Sequence, residues 1–208
     1  GRIIKNKPAD YDKQVKNYVS KNKKNAENLV AFGRAFFEAE DSVNAKECAM
    51  KANALKKNND APAYILLGDL AAMGDRGGEA ASNYEQAILA DPKNPDAYRK
   101  YAIVYSRVSP EGAVAKLEEL RNEVPSYPVD RLIGHISYSQ QRYATAIDAF
   151  SKVSTSELTR MDFIKYARAL QLACKYDESQ KVVVAGLAKE PLNATLNRFA
   201  MMNCNDHD

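Results

Sequence analysis

The chain has 208 residues, of which 45% are hydrophobic: enough apolar side chain for an ordinary folded core, and too much for a disordered chain. Thirty Lys and Arg against twenty-seven Asp and Glu leave a formal charge of +3, which excludes the large basic excess of a protein that holds nucleic acid or an anionic membrane by charge alone. Cys48, Cys174 and Cys204 are odd in number and lack metal-ligand or disulfide spacing, so the fold does not rest on a disulfide framework.

The opening Gly1-Arg2-Ile3-Ile4 carries no helix-start signal. From Asp10 to Val19, Tyr11, Val15 and Tyr18 share one face and predict a single helix. Leu29, Phe32, Gly33 and Phe36, followed by Ala45, Ala49 and Ala52, predict a pair of helices. A second pair places Tyr64, Leu67, Gly68 and Ala71 before a turn at Met73-Gly74-Asp75-Arg76-Gly77-Gly78, then Ala80, Tyr84 and Ala87 before Pro92. In the third, Tyr98, Tyr101, Ala102 and Tyr105 lead through a shorter turn, Val108 to Gly112, to Ala113, Leu117, Leu120 and Pro125. Ile133, Gly134 and Ser137 with Ala146, Phe150 and Val153 make a fourth pair. Phe163, Tyr166, Ala167 and Leu170 with Ser179, Val183, Gly186 and Pro191 make a fifth. Leu196, Phe199, Ala200 and Asn203 predict one last helix without a partner. No apolar run approaches the roughly 18 residues that span a bilayer, and no charged-then-apolar secretory segment is present, so the chain as given is expected to be soluble.

Equivalent positions Phe32, Leu67, Tyr101, Ile133 and Tyr166 are 35, 34, 32 and 33 residues apart, the spacing of a solenoid repeat. The spacing divides one array over residues 1–208 into repeats 26–60, 61–94, 95–126, 127–159 and 160–192, flanked by half repeats 1–25 and 193–208. Small residues at Gly33, Gly68, Ala102, Gly134 and Ala167, set against Ala45, Ala80, Ala113, Ala146 and Ser179, let the helices of each pair approach closely. Pro92, Pro125 and Pro191 lack an N–H and disfavour helix just before them, so each separates one pair from the next.

The pattern of a large residue, Leu-Gly, an aromatic, then Ala, an aromatic and Pro resembles the tetratricopeptide repeat, with Tyr64-Leu67-Gly68 and Ala80-Tyr84-Ala87-Pro92 as its best copy. The resemblance runs over about residues 26 to 204. Departures are the absence of tryptophan, Ser137 in place of an aromatic, and Lys57 and Leu158 in place of proline. The resemblance implies an all-α, right-handed α-solenoid of antiparallel helix pairs, five full repeats flanked by half repeats. The half repeats are expected to leave apolar stripes at Leu196 and Phe199 uncovered, open to a following segment or to self-association.

In the family, the first helix of each pair lines a concave groove that receives a peptide. The matching positions here give Arg34, Phe37, Ile65, Asp69, Arg99, Ile103, Arg107, Arg131, His135, Tyr138 and Arg168 as the expected peptide-binding residues. At these positions the last three repeats present four arginines, Arg99, Arg107, Arg131 and Arg168, against one aspartate, Asp96, and an arginine fork suits carboxylates, so the expected partner is a protein or peptide with an acidic segment. The family's carboxylate clamp for chaperone tails is missing: Val30, Arg34, Leu66, Asp96 and Lys100 stand at its positions. The short, tyrosine-rich repeats resemble bacterial members, some of them exported, so a periplasmic or envelope setting is expected ahead of the cytoplasm.

No catalytic constellation emerges. His135 and His207 have no hydrolase-like Ser or Cys nearby, and the Gly74–Gly78 loop lacks the Lys-Ser/Thr of a phosphate loop. Cys204, Asp206, His207 and Asp208 bunch at the end of the sequence without ordered ligand spacing, and Asn193-Ala194-Thr195 is a chance-frequency glycosylation triplet. Tyr64, Tyr84, Tyr98, Tyr101, Tyr105, Phe150, Phe163 and Tyr166 stand at core positions of the repeat rather than as base-stacking platforms. The expectation is a non-catalytic interaction or scaffolding module with no cofactor, no metal and no nucleic acid partner. Two alternatives stay open: the substrate-receiving arm of a larger enzyme or transporter, and a solenoid that takes a glycan or RNA.

Overall fold

The computed structural model describes residues 9–205; Gly1-Arg2-Ile3-Ile4 and the Asp206, His207 and Asp208 of the acidic cluster lie outside them. Twelve helices and no strand occur among the described residues. They are α1 (Tyr11–Lys21), α2 (Ala26–Glu38), α3 (Ser42–Leu55), α4 (Ala61–Met73), α5 (Gly77–Ala90), α6 (Pro95–Tyr105), α7 (Pro110–Glu123), α8 (Val129–Ser139), α9 (Tyr143–Ser151), α10 (Arg160–Leu172), α11 (Tyr176–Lys189) and α12 (Ala194–Asn205). The starts of α2, α4 and α10 are fixed by Asn25, Asp60 and Thr159 just before them, whose side chains accept the backbone N–H of Asn28, Ala63 and Asp162. None of these helices is long and apolar enough to cross a membrane.

The chain folds as two compact units, one through Tyr105 and one from Ser106 onward. In the first, α4 touches α2, α3, α5 and α6. A helix surrounded in this way must be apolar on nearly every side, and Ala61, Ala63, Ile65, Leu66, Gly68, Leu70 and Ala71 of α4 are all buried. The core there joins Val15 and Val19 of α1 to Leu29, Phe36, Cys48, Ala52 and Leu66. In the second unit, α10 touches α8, α9, α11 and α12, and Phe150, Phe163, Val183, Leu196 and Phe199 form the centre.

The last helix corrects one expectation. Leu196 and Phe199 are not an open stripe: they are 0% and 5% exposed, because α12 lays them onto α10 and α11 as the first helix of any repeat lies on the pair before it. Asn203 completes the seam, accepting from Gln171 Nε2 at 2.7 Å and donating to Ser179 Oγ and Gln180 Oε1 at 3.1 Å, so the buried polar groups there satisfy one another.

Gly33 lies against Ala45 and Cys48 as the small-on-small contact expected, but two other pairs pack differently. A Cβ built on Gly68 would strike the Tyr84 ring, and one on Gly134 would strike the Phe150 ring. The glycine therefore makes room for the aromatic of the second helix rather than for the alanine before it.

The turns inside four pairs share one geometry, and glycine has no part in it. Glu40, Asp75, Gln141 and Cys174 have φ between 55° and 60°, while no glycine has positive φ among the described residues. Each is followed by an N–H that reaches back over the turn: Asp41 to Phe36 O, Arg76 to Ala71 O, Arg142 to Ser137 O and Lys175 to Leu170 O, at 2.8–2.9 Å. The glycine-rich stretch is shorter as a turn than its composition suggested, since Gly77 and Gly78 already belong to α5. Where Lys57 and Leu158 replace proline, other devices end the helix. Lys57 and Asn58 both take positive φ, and Lys189 Nζ ties down the loop before α10 by donating to Ser156 O and Leu158 O at 2.8 and 3.1 Å.

Candidate functional site

The expected peptide-binding residues fall into two groups, one in each unit. In the first unit Arg34 is exposed on α2, and Phe37 is partly covered by the core beneath it. Ile65 is 2% exposed and offers a partner no surface, as the central place of α4 requires. Asp69 is held inside a polar chain: the Tyr84 hydroxyl donates to it at 2.8 Å and Lys100 Nζ at 2.5 and 2.6 Å. Burial first, and then the bond to Asp69, raise the Tyr84 phenol above its ordinary range. Lys100 Nζ also lies 3.8 Å from Asp96, whose other oxygen takes Arg99 at 2.5 Å. The structure thus brings Asp69 and Arg99 together through Lys100 and Asp96; Arg34 of α2 and Ile103 of α6 are exposed and take no part in that chain of bonds.

In the second unit Arg107 is exposed, while Arg131, His135, Tyr138 and Arg168 gather where α8 and α10 lie side by side. Their organiser is Asp162, whose side chain is fully buried. Its Oδ2 accepts from Arg131 Nε at 2.9 Å, from the Thr159 N–H at 2.6 Å and from Thr159 Oγ1 at 2.7 Å; its Oδ1 faces His135 Nε2 at 2.6 Å. Thr159 returns the favour by accepting the Asp162 N–H, a reciprocal cap that starts α10. Burial pushes the Asp162 carboxyl upward, but the bonds from Thr159, Arg131 and His135 outweigh it and hold the group below the ordinary carboxylate range.

A carboxylate at Oδ1 fixes the tautomer of His135. Nε2 carries the proton and donates, leaving Nδ1 as an acceptor for Lys165 Nζ at 2.8 Å. Burial, then the nearby Lys165 charge, depress the imidazole below its ordinary value, against the pull of Asp162. Its ring also meets Phe150 edge-on at 5.5 Å. Lys165 Nζ lies 5.8 Å from the Tyr138 ring centroid, and Arg168 donates to Gln171 Oε1 at 3.3 Å. Sequence reasoning missed Asp162 and Lys165. The Thr-x-x-Asp spacing at Thr159 was a visible signal for the cap, but nothing local announces a bond 27 or 31 residues away.

No group of three or more His, Cys, Asp or Glu among the described residues is placed to hold a metal ion. Cys48 is buried, and Cys174 and Cys204 are exposed thiols.

No protein-family model and no curated protein sequence matches this chain. Solved structures do. A tetratricopeptide protein from Parabacteroides merdae ATCC 43184 superposes with a TM-score of 0.65 at 21% identity, over 88% of this chain and 73% of that one. The protein YrrB, described as a TPR protein with an unusual peptide-binding site, gives 0.63 at 16% identity over 88% and 96%. The chain has the tetratricopeptide-repeat fold. PilW, described as a widely conserved type IV pilus biogenesis factor, shares that fold at a TM-score of 0.65 and 14% identity, over 87% of this chain and 85% of PilW. In tetratricopeptide terms α2, α4, α6, α8, α10 and α12 are first helices, and the candidate residues stand on them except Arg107, which lies in the turn after α6. Within each unit successive first helices touch, α2 with α4 and α4 with α6, then α8 with α10 and α10 with α12.

Proposed function

We propose that the chain is a non-catalytic recognition module that takes an extended, acidic segment of a peptide or protein on the face formed by its first helices. One observation carries the reading. Arg131, His135, Tyr138, Lys165 and Arg168 share the α8–α10 face, and the acid among them, Asp162, is fully buried, so the charge offered to solvent there is positive. Tyr138 adds an amphipathic ring of the kind favoured at recognition surfaces. The peptide-binding site named for YrrB supports the same use of this fold.

Selection from a displayed library of random peptides tests the proposal. The expected result is enrichment of sequences rich in Asp and Glu, whose binding falls when Tyr138→Ala and Arg168→Glu are combined, with circular dichroism showing the double variant folded at the assay temperature, since Tyr138 also packs on the core of this unit and its truncation lowers the melt. Selected peptides without acidic bias, bound equally by the double variant, would count against it.

A further inference from the structure

Lys165 stands apart from the ion pairs around it. Both oxygens of Asp162 are engaged by Arg131, Thr159 and His135, and the Lys165 ammonium instead donates to a neutral acceptor, His135 Nδ1. An ammonium has three N–H donors, and one is given to His135. Two remain to meet the oxygens of an incoming carboxylate. The amine also sits half-buried beside the Tyr138 ring, where a charge-assisted bond is stronger than in open water.

We propose that Lys165 is the anchor for one carboxylate of the acidic segment, and that His135 couples this contact to pH; the inference rests on the recognition function proposed above. The coupling follows from what faces His135. Arg131 approaches from its own helix, Asp162 and Lys165 from α10, and the uncharged Phe150 ring from α9. The unpaired Lys165 charge opposes protonation of the imidazole. A carboxylate on Lys165 cancels that opposition, and once Nδ1 is protonated it becomes a second donor aimed at the same carboxylate. Binding therefore favours the proton, and by reciprocity the proton favours binding. The burial-depressed imidazole agrees with this: it stays neutral in the free protein at neutral pH and is available to titrate upward when the site fills.

The test uses the full chain and the blocked peptide hexaglutamate, with calorimetric titrations at several values between pH 8 and pH 5.5. The wild-type affinity is expected to rise as pH falls through the His135 titration. Lys165→Met is expected to lose about tenfold, the scale of one charge-assisted bond, and to lose the pH dependence, while Lys165→Arg keeps most of the affinity. Lys152→Met, which removes an exposed cation just after α9, should bind as wild type. In a His207→Gln background the single remaining imidazole, followed by NMR, should titrate at higher pH with peptide than without. Unchanged affinity in Lys165→Met with an unshifted imidazole overturns the inference but leaves peptide recognition standing, with its contact elsewhere. No hexaglutamate binding by wild type, or equal binding of a six-nucleotide oligothymidylate, also overturns it; the wider function is then decided by the random-peptide selection, which does not presume Lys165.

Discussion

Replacing Gly134 with alanine adds one methyl group at the tightest point between α8 and α9. Its Cβ would lie 2.7, 2.8 and 2.9 Å from three atoms of the Phe150 ring, several tenths of an ångström inside ordinary contact. The ring cannot yield cheaply. Phe150 is 0% exposed, with His135 edge-on at 5.5 Å and Tyr166 tilted against it at 5.7 Å. Overpacking of this kind costs about 1–3 kcal/mol, and the gain from replacing a mid-helix glycine offsets roughly 0.5–1 of that. With the ring held this firmly the cost falls in the upper part of that range, so the expected net loss is about 1–2.5 kcal/mol, a fall in Tm of roughly 2–10 °C for a chain of this size. Gly78→Ala is the internal control: nothing lies within 4 Å of the added atom, so its melt should equal or slightly exceed wild type. Thermal unfolding followed by circular dichroism reads both. A Gly134→Ala protein as stable as Gly78→Ala would mean that Phe150 does not pack on this glycine.

Three other outcomes are expected. Gln141→Gly should raise stability by up to about 1 kcal/mol in urea unfolding, because a non-glycine residue there holds φ at 59°; a loss would show that the Gln141 side chain contributes more than its backbone strain costs. Ser137→Ala should stabilise by roughly 1 kcal/mol, since the Ser137 hydroxyl is the buried side-chain group without a hydrogen-bond partner among the described residues; destabilisation in the same assay would reveal a partner for it. Because the folded state depresses the His135 pKa, the unfolded chain binds the extra proton first, so stability is full above about pH 6.5 and declines as pH falls through the folded value. Asp162, also depressed, adds a second decline below its ordinary value near 4. Melts from pH 8 to pH 4 should show the first decline in wild type and not in His135→Gln; the same decline in both would assign it to another group.

The repeat was legible because its determinants are local and periodic. A glycine or alanine one position after a large residue recurs with the spacing that helix pairs impose, and in two pairs an aromatic follows sixteen residues beyond it, Gly68 with Tyr84 and Gly134 with Phe150. The turn residues were not legible, since Glu40, Asp75, Gln141 and Cys174 take the left-handed conformation without being glycine; the helices around them impose it. The site was legible as a face but not as a circuit. Arg131, His135, Tyr138 and Arg168 were readable from their register, whereas Asp162 and Lys165 matter only through bonds between neighbouring repeats. Ile65 shows the opposite case: its register is that of a groove residue, and the helices around α4 bury it.

The central claim is that the α8–α10 face receives an acidic segment, and amide chemical-shift mapping of the labelled chain with the tightest acidic peptide from the library tests it most directly. Shifts are expected to gather on α8 and α10, at Arg131, His135, Tyr138, Lys165 and Arg168, and to saturate together with the calorimetric binding curve. Shifts confined to the second helices α9 and α11, with these five residues unmoved, would contradict the account.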